Sequence, residues 1–550
     1  MLNLHNMRLV GRSCAQATCA LVLVISGCDR KPPSLSIRSE PNLVTKTESS
    51  GAPATAATAE SDDSADITAK GHPKEWWEAI YAYGTKIGWG HTQISDREED
   101  GRKIVEIANQ NLLAVERSGQ RITIKIATTS VETDQGELLR FRTEMTSGAS
   151  RTETSGHLAD GQLVVETTTS GKTTTQSFPW PSGALGFSAT EQSLASSPLL
   201  PGQRRQLHAL MPATNEIVTI DLAAGDKYEA TPLLDHTEDL LCVTSTITLP
   251  MHSAGDRPPV IRSQLWTNRD GQMLKTAVAA LNQETFWAPR EIALAETGPR
   301  RLDLVLDNSV PVAVALAEPH STHRIRYRVH LASDDPAKVF YSGGLQQVTS
   351  LDPQTAEITV RRFDVSGGAL PAVTDSSRTV MPSQEDRAAN NLIQSDDEEV
   401  VRLAKSVAAD ETDPTRLAVA LESYVKEFVT LKNFTQAFDT AAEVARHREG
   451  DCTEHAVLLA ALARARGIPA RVSIGLVYSP ATQSFVFHMW NELWTGQRWM
   501  PLDATLGRGG IGAAHLKLTD SNLAGAQAYS CFLPVAQVIG QLKIEILEVE

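Results

Sequence analysis

The sequence predicts an α+β protein in which strands and helices are segregated along the chain. Three observations carry this. From about Trp76 to Ala295, short runs alternate apolar and polar residues between Gly-containing turns. From about Arg301 to Val380, a second series of such runs follows. Near Gln394 the period changes, and apolar residues recur at helical spacing. The expected layout is an antiparallel β-rich domain over 74–295, a second, sandwich-like β-rich region over 296–385, and an α+β domain over 386–550.

The first β region opens with "KEWWEAIYAYGTKIGWGHTQI". "KIVEIANQNLLAV", "RITIKIATTSVETD", "LLRFRTEMT" and "QLVVETTTS" follow, then "EIVTIDLAA" and "LLCVTSTITLP". Glu-Asp-Gly, Ser-Gly and Asp-Gly steps separate many of them and signal tight turns. Thr-rich alternation in consecutive strands predicts an antiparallel sheet with one wet face. The clearest helical interruption is near "SATEQSLASS". Trp76, Trp77, Trp89 and Trp180 can fill the core of such a sheet or line a ligand groove; core filling is the expectation. Cys242 lies in an alternating run and reads as a small buried hydrophobe.

The second region offers "RLDLVLDNSVPVAVAL", "HRIRYRVHLA" and "AEITVRRFDV". It is short enough to be a small domain or a continuation of the first. Beyond Gln394, "DDEEVVRLAKSVA" and "DPTRLAVALESYVKEFVTL" are helical by period, with Asp413-Pro414 as a start signal.

Composition bounds the function. The chain has 550 residues, 41% of them hydrophobic and 21% charged, with a net charge of -15. That length exceeds what one core can organise. The acidic balance argues against nucleic acid as a partner, because phosphate binding needs a basic surface. Six cysteines are too few for a disulfide scaffold. Three of them, Cys14, Cys19 and Cys28, fall in the first thirty positions. If one of Cys242, Cys452 and Cys531 is catalytic, the other two could pair, which the sequence does not decide.

The N-terminus carries Arg8 and Arg12, then an apolar stretch too short to span a membrane. It ends in Ile25-Ser26-Gly27-Cys28, which resembles a bacterial lipobox. The resemblance implies a signal peptide over 1–27 and a lipid on Cys28, the first mature residue; the alternative is an ordinary signal peptide with a chance cysteine. Residues 28–73 are rich in Ser, Thr, Ala, Pro and charge. They read as a disordered tether.

The chemistry is expected in "REGDCTEHAVLLAALARARGIPARV". Cys452 to Arg466 reads as a helix stopped by Gly467, with Pro469 after it. Cys452 then sits at the helix N-terminus, where unpaired N–H groups and the dipole stabilise a thiolate and can donate to an oxyanion. A nucleophilic thiol also needs a base and a group to orient it. "SFVFHMWNELW" and "RWMPLDATLG" read as adjacent antiparallel strands about a turn near Gly496. Nearly equal counts on either side bring His488 and Asp503 close to face to face.

These three segments resemble the transglutaminase-like superfamily, with its papain-like core of a cysteine helix packed on an antiparallel sheet. The resemblance covers about 396–507. It implies Cys452 as nucleophile, His488 as general base and acid, and Asp503 as the group holding the imidazole. The implied reaction is acyl transfer at an amide carbonyl through a thioester. The oxyanion-stabilising tryptophan of animal transglutaminases has no counterpart between Gln394 and Asp451. The Cys452 N–H is the expected donor, with Gln436 a candidate for a second. No calcium site carries over, so neither metal nor cofactor is expected. Glu454 and His455 read as structural, and Arg471 resembles the family's structural arginine. Trp490 and Trp494 are expected to pack around the triad or wall the cleft.

The expected function is that of a cell-envelope lipoprotein, facing the periplasm or exterior, whose cysteine domain acts on amide bonds of proteins or peptides. Hydrolysis is favoured over cross-linking, because water is abundant and no amine site is visible. The alternative is a non-catalytic module whose β domains hold an envelope protein or lipid.

Overall fold

The computed structural model describes residues 74–550, except 118, 149, 213, 251–259, 297–301, 304–306, 366–379 and 432–437. The expected signal peptide, Cys28, the tether and Gln436 lie outside the described residues.

Alternation builds the first sheet. In the strand Gln120–Thr133, Ile122, Ile124 and Ile126 are buried while Arg121, Thr123 and Lys125 face water. Tight turns join the strands: Asp100-Gly101, Asp160-Gly161 and Ser170-Gly171 all have positive φ at both positions. Two-residue hairpins need that geometry, and Gly adopts it without strain.

Fourteen strands result, in one antiparallel sheet. The first eight step outward in chain order from Glu75–Ala82 to Lys172–Pro179. After the helix Ala189–Ser196, six more return from Arg204–Met211 to Gln283–Ala288. That last strand pairs with Glu75–Ala82, joining the two sets. Leu185, just past the eighth strand, bridges to Ala209 in the ninth, so the far edges of the sheet are tied as well.

The tryptophans sit in the hydrophobic packing. Trp76 is buried with Ile94, Val105 and Ile107. Trp77 and Trp89 pack on Ala79, Ala288 and Ala293, and Trp180 on the Leu138–Phe141 cluster. Cys242 is only partly buried, and Cys242, Cys452 and Cys531 are all free thiols. Cys242 sits opposite Trp266 on the neighbouring strand. Its side of the sheet there is partly open, which explains why it is not fully enclosed.

The second β region is completed from the far end of the chain. Arg324–Leu331 pairs with Thr355–Arg361 on one side and with the C-terminal strand Leu542–Val549 on the other. Val310–Pro311 adds to the strand Ser484–Trp494. The strand order around that element is Val310–Pro311, Ser484–Trp494, Ala470–Ser479, His515–Ser521, with Trp499–Leu502 also on Ser484–Trp494.

Helices Glu398–Ser406, Pro414–Phe428 and Ala441–His447 pack around the helix Cys452–Ala465, which is buried from Cys452 through Arg464. Asp413 caps the second of these, accepting from the Arg416 N–H at 2.8 Å. One contiguous buried cluster includes Val218 of the first sheet, Ile325 of the four-stranded sheet, and Leu458, Leu459 and Leu462 of the central helix. A fully buried leucine contributes about 1.5–3 kcal/mol, so those three side chains fix the helix firmly.

No helix of the described residues is long and apolar enough to cross a membrane.

Candidate active site

The helix Cys452–Ala465 begins in a reciprocal cap. Asp451 accepts from the Thr453 N–H at 2.9 Å, and Glu454 accepts from the Asp451 N–H at 2.9 Å. Such a cap contributes about 1 kcal/mol and sets the direction in which the helix starts. It therefore sets where the Cys452 sulfur sits. Glu454 also accepts from the Asp439 N–H at 3.1 Å, which ties the approaching chain to the same turn. His455 turns its Nδ1 to the Asp451 carbonyl oxygen at 2.5 Å. Both residues serve the helix start, as the sequence suggested.

His488 lies mid-strand in Ser484–Trp494 and Asp503 lies one residue beyond the strand Trp499–Leu502. The register runs from Trp494↔Trp499 to Asn491↔Leu502. Continued by one residue, it sets position 503 opposite Trp490 rather than His488. The carboxylate covers that two-residue offset because the chain turns there. The Asp503 carbonyl accepts from the Gly507 N–H at 2.7 Å, and its Oδ1 accepts from the Thr505 N–H at 2.9 Å.

Asp503 Oδ2 then accepts from His488 Nε2 at 2.8 Å. With Nε2 committed to the carboxylate, Nδ1 is the ring nitrogen left for the thiol. A side-chain hydrogen bond links His488 to Cys452. All three expected residues thus meet, and all are buried: Cys452 is 1% exposed, His488 5% and Asp503 0%.

Electrostatics follow from that burial. Desolvation pushes the His488 imidazole down. The charge and hydrogen bond of Asp503, with those of Cys452, outweigh it and raise the group to about 10. Burial pushes the Asp503 carboxyl up, but His488 and then His515 hold it well below the ordinary range. The pair is therefore ionised at neutral pH, with an imidazolium beside the thiol. That arrangement favours a thiolate.

Two supports were not read from the sequence. His515, on the strand His515–Ser521, brings its Nε2 to the same Asp503 oxygen at 3.1 Å. Glu422, on the helix Pro414–Phe428, accepts from the N–H groups of Asp503 at 3.0 Å and Gly509 at 2.8 Å. His515 gave a weak signal, a lone histidine in an alternating run. Glu422 gave none, because its partner is a backbone 81 residues away. Trp490 packs edge-on to His515 at 5.3 Å and stacks beside His488 at 6.2 Å. Trp494 packs edge-on to Trp499 at 5.6 Å, away from these imidazoles. Arg471 pairs with Glu492 at 2.6 Å and Asp520 at 2.9 Å, a structural role.

Among the described residues, His488, Asp503 and His515 also form a group whose donor atoms lie within 4.8 Å of one another. Both imidazoles aim Nε2 at one carboxylate oxygen. A cation there would have to separate Asp503 from His488, so the set fits a hydrogen-bonded triad better than a metal centre.

The profile of the transglutaminase-like superfamily matches residues 401–504. The chain carries a transglutaminase-like domain. The match spans Cys452, His488 and Asp503 together with the helices in front of them. No curated protein matches the chain. Among solved structures, a candidate cysteine protease from Cytophaga hutchinsonii is 16% identical, covering 41% of this chain and 86% of that one, with a TM-score of 0.26. A β-barrel-like protein of a domain of unknown function from Brucella abortus is 14% identical, covering 39% and 95%, with a TM-score of 0.28. A candidate protease from Parabacteroides distasonis is 12% identical, covering 48% and 63%, with a TM-score of 0.17.

Burial of carboxyl groups in the first sheet and in the transglutaminase-like domain has a consequence for pH. Burial raises Glu132 to about 7. Burial, with the Asp503 charge adding to it, raises Glu422 to about 7. Burial and then the Glu454 charge raise Asp439 to about 8. In each case, and for His488, the folded chain holds its proton more tightly than the unfolded chain. Each contribution is complete below the unfolded value, about 4 for a carboxyl and about 6.5 for imidazole, and is lost as pH rises through the folded value. The melting temperature is expected to fall from about pH 6 to about pH 9, and less steeply in Glu132→Gln. A melting temperature that climbs across this range contradicts the proton placement.

Proposed function

We propose that the transglutaminase-like domain is a cysteine-dependent amide hydrolase or acyltransferase acting on proteins or peptides. The observation that carries the reading is the buried relay from Asp503 Oδ2 through His488 to Cys452 at a capped helix start.

The geometry supports a balanced sequence of steps. The Cys452 thiolate attacks the amide carbon, forming the C–S bond as the carbonyl electron pair moves onto oxygen. The Asp451 carboxylate and carbonyl take the N–H groups of Thr453 and His455. The N–H of Cys452, at the helix start, is the expected donor for the oxyanion. The His488 imidazolium gives its proton to the leaving nitrogen as the C–N bond breaks, leaving a thioester and a neutral imidazole. Water then attacks the thioester, His488 removes its proton, and the thiolate departs. An amine in place of water would give transfer instead. Hydrolysis is favoured, because water is abundant around an envelope protein.

A thiol-directed electrophile tests the reading directly. Labelling of Cys452 is expected to be fast near neutral pH and to slow by about 10²-fold or more in His488→Ala, the scale of a lost acid–base partner. Equal rates in both proteins would rule out an activated thiol. Cys242 and Cys531 serve as internal references; burial raises Cys531 to about 12.

The envelope location is part of the same proposal. It rests on the Arg8, Arg12 and Ile25–Cys28 pattern. Cells fed labelled fatty acid are expected to mark this chain, and Cys28→Ser is expected to lose the mark. Retention of the mark in that variant would exclude Cys28 as the anchor.

A further inference from the structure

We propose that the pocket between His320, Ser321, Arg362, Phe363, Arg508 and Gly510 is a carboxylate-binding site, distinct from the thiol. The pocket has a volume of about 190 Å³. That is room for a carboxylate and a few attached carbons.

Its walls are unusual for this chain. The protein has a net charge of -15, yet two guanidiniums and an imidazole line the pocket and no carboxylate does, among the described residues. Arg362 Nη1 donates to the Ser321 carbonyl at 3.1 Å, which fixes that guanidinium at the rim. Arg508 is exposed, on the loop that follows Asp503. His320 faces the same space, and its Nδ1 is buried without a hydrogen-bond partner. Burial, then the neighbouring His515 and Arg508, hold His320 down at about 4. The imidazole is neutral at working pH and can donate a hydrogen bond without adding a third positive charge.

Glycines let the wall close. A Cβ on Gly510 would lie 2.1 Å from the Phe363 carbonyl oxygen, and one on Gly512 would lie 2.6 Å from the His320 Cα. The Gly510–Ile511 bridge to Phe363–Asp364 depends on that approach.

A planar carboxylate suits these groups. A guanidinium binds it through two parallel N–H donors, and a neutral imidazole N–H can bind a remaining lone pair. A chain of imidazoles and Asp503 links the pocket to the thiol. His320 packs on His515 at 6.0 Å, and His515 shares the Asp503 oxygen with His488. Neither Cys452, His488 nor Asp503 lines the pocket, so an occupant would not contact the thiol relay directly. The carboxylate can come from a peptide chain terminus, an acidic side chain or a small free acid.

Calorimetric titration of the full chain carrying Cys452→Ala tests this without turnover. The probes are succinate, a short peptide with a free C-terminus, the same peptide amidated, and an amidated peptide containing Glu. Saturable binding of at least one carboxylate probe is expected. It should weaken by about tenfold or more in Arg508→Gln, the loss of one bidentate charge-assisted pair. It should be unchanged in Arg416→Gln, a surface change outside the pocket. The probe that binds identifies the source of the carboxylate. No saturable heat below about 10 mM, the weak end of specific recognition, overturns the proposal. Equal affinity in Arg508→Gln overturns it too. Cys452 labelling is a separate measurement, so this site and the acyl-transfer reading fail independently.

Discussion

Asp503→Asn is expected to slow thioester formation at Cys452 by about 10³–10⁴-fold, the scale seen when a triad carboxylate becomes an amide. The carboxylate does three things that an amide cannot do together. It accepts from His488 and His515 on one oxygen, and its other oxygen holds the Thr505 N–H. An Asn that keeps the turn contact presents its NH₂ to two imidazole nitrogens. His488 must then turn an unprotonated Nε2 toward it, which puts the proton on Nδ1, facing the thiol. The imidazolium loses the charge that holds it near 10, and Cys452 returns to the thiol form. The loss should therefore shift with pH. Rate against pH for the variant should climb at alkaline pH, where the thiol ionises without help. His515→Gln separates orientation from charge. Gln can still donate to Asp503, so the rate should fall far less than in Asp503→Asn. A variant Asp503→Asn within about threefold of the parent rate would sink the relay, since so small a change is under 1 kcal/mol of barrier.

The relay was legible because its parts lie in three short segments with strong local signals. A Gly-stopped helix placed Cys452, and one hairpin placed His488 near Asp503. The two-residue offset in that hairpin was not legible. It depends on the turn after Leu502, which is held by Asp503's own hydrogen bonds and by Glu422. The same contrast runs through the β regions. Alternation and Asp-Gly or Ser-Gly turns marked strands one at a time. The joining of Trp77–Ala82 to Gln283–Ala288, and of Arg324–Leu331 to Leu542–Val549, rests on contacts some 200 residues apart. Strands of that kind look alike in sequence, so their partners are decided by packing rather than by local pattern.

The least legible contact joins the first sheet to the thiol. Arg117, at the end of the strand Arg102–Arg117, forms an ion pair with Asp451, the cap of the thiol helix. Both side chains are fully buried. Around them the sheet meets the helical layer through further contacts: Ser150 donates to the Phe438 carbonyl at 3.2 Å, Asn391 to the Thr167 carbonyl at 2.9 Å, and Lys172 pairs with Asp396 at 2.6 Å. Removing one partner of a buried pair leaves the other charge uncompensated, which costs about 3–5 kcal/mol. Arg117→Met is therefore expected to destabilise the chain by that amount, read as a lower urea midpoint. It should also slow Cys452 labelling, because Asp451 starts the helix that carries the sulfur. Burial raises Glu454 and Arg117 opposes that rise, so loss of the arginine adds to the charge strain at the same turn. A second variant keeps the test sharp. Asp451→Asn retains a good cap residue and removes the stranded charge. Arg117→Met combined with Asp451→Asn should recover much of the stability lost in Arg117→Met alone. If Arg117→Met costs less than about 0.5 kcal/mol, the range of ordinary surface changes, the sheet does not brace the helix. If the double variant is no more stable than the single one, the stranded charge is not the cause. With both results as expected, the N-terminal sheet is part of what positions the thiol, and a 386–550 fragment would lack the counter-charge for its own nucleophile helix.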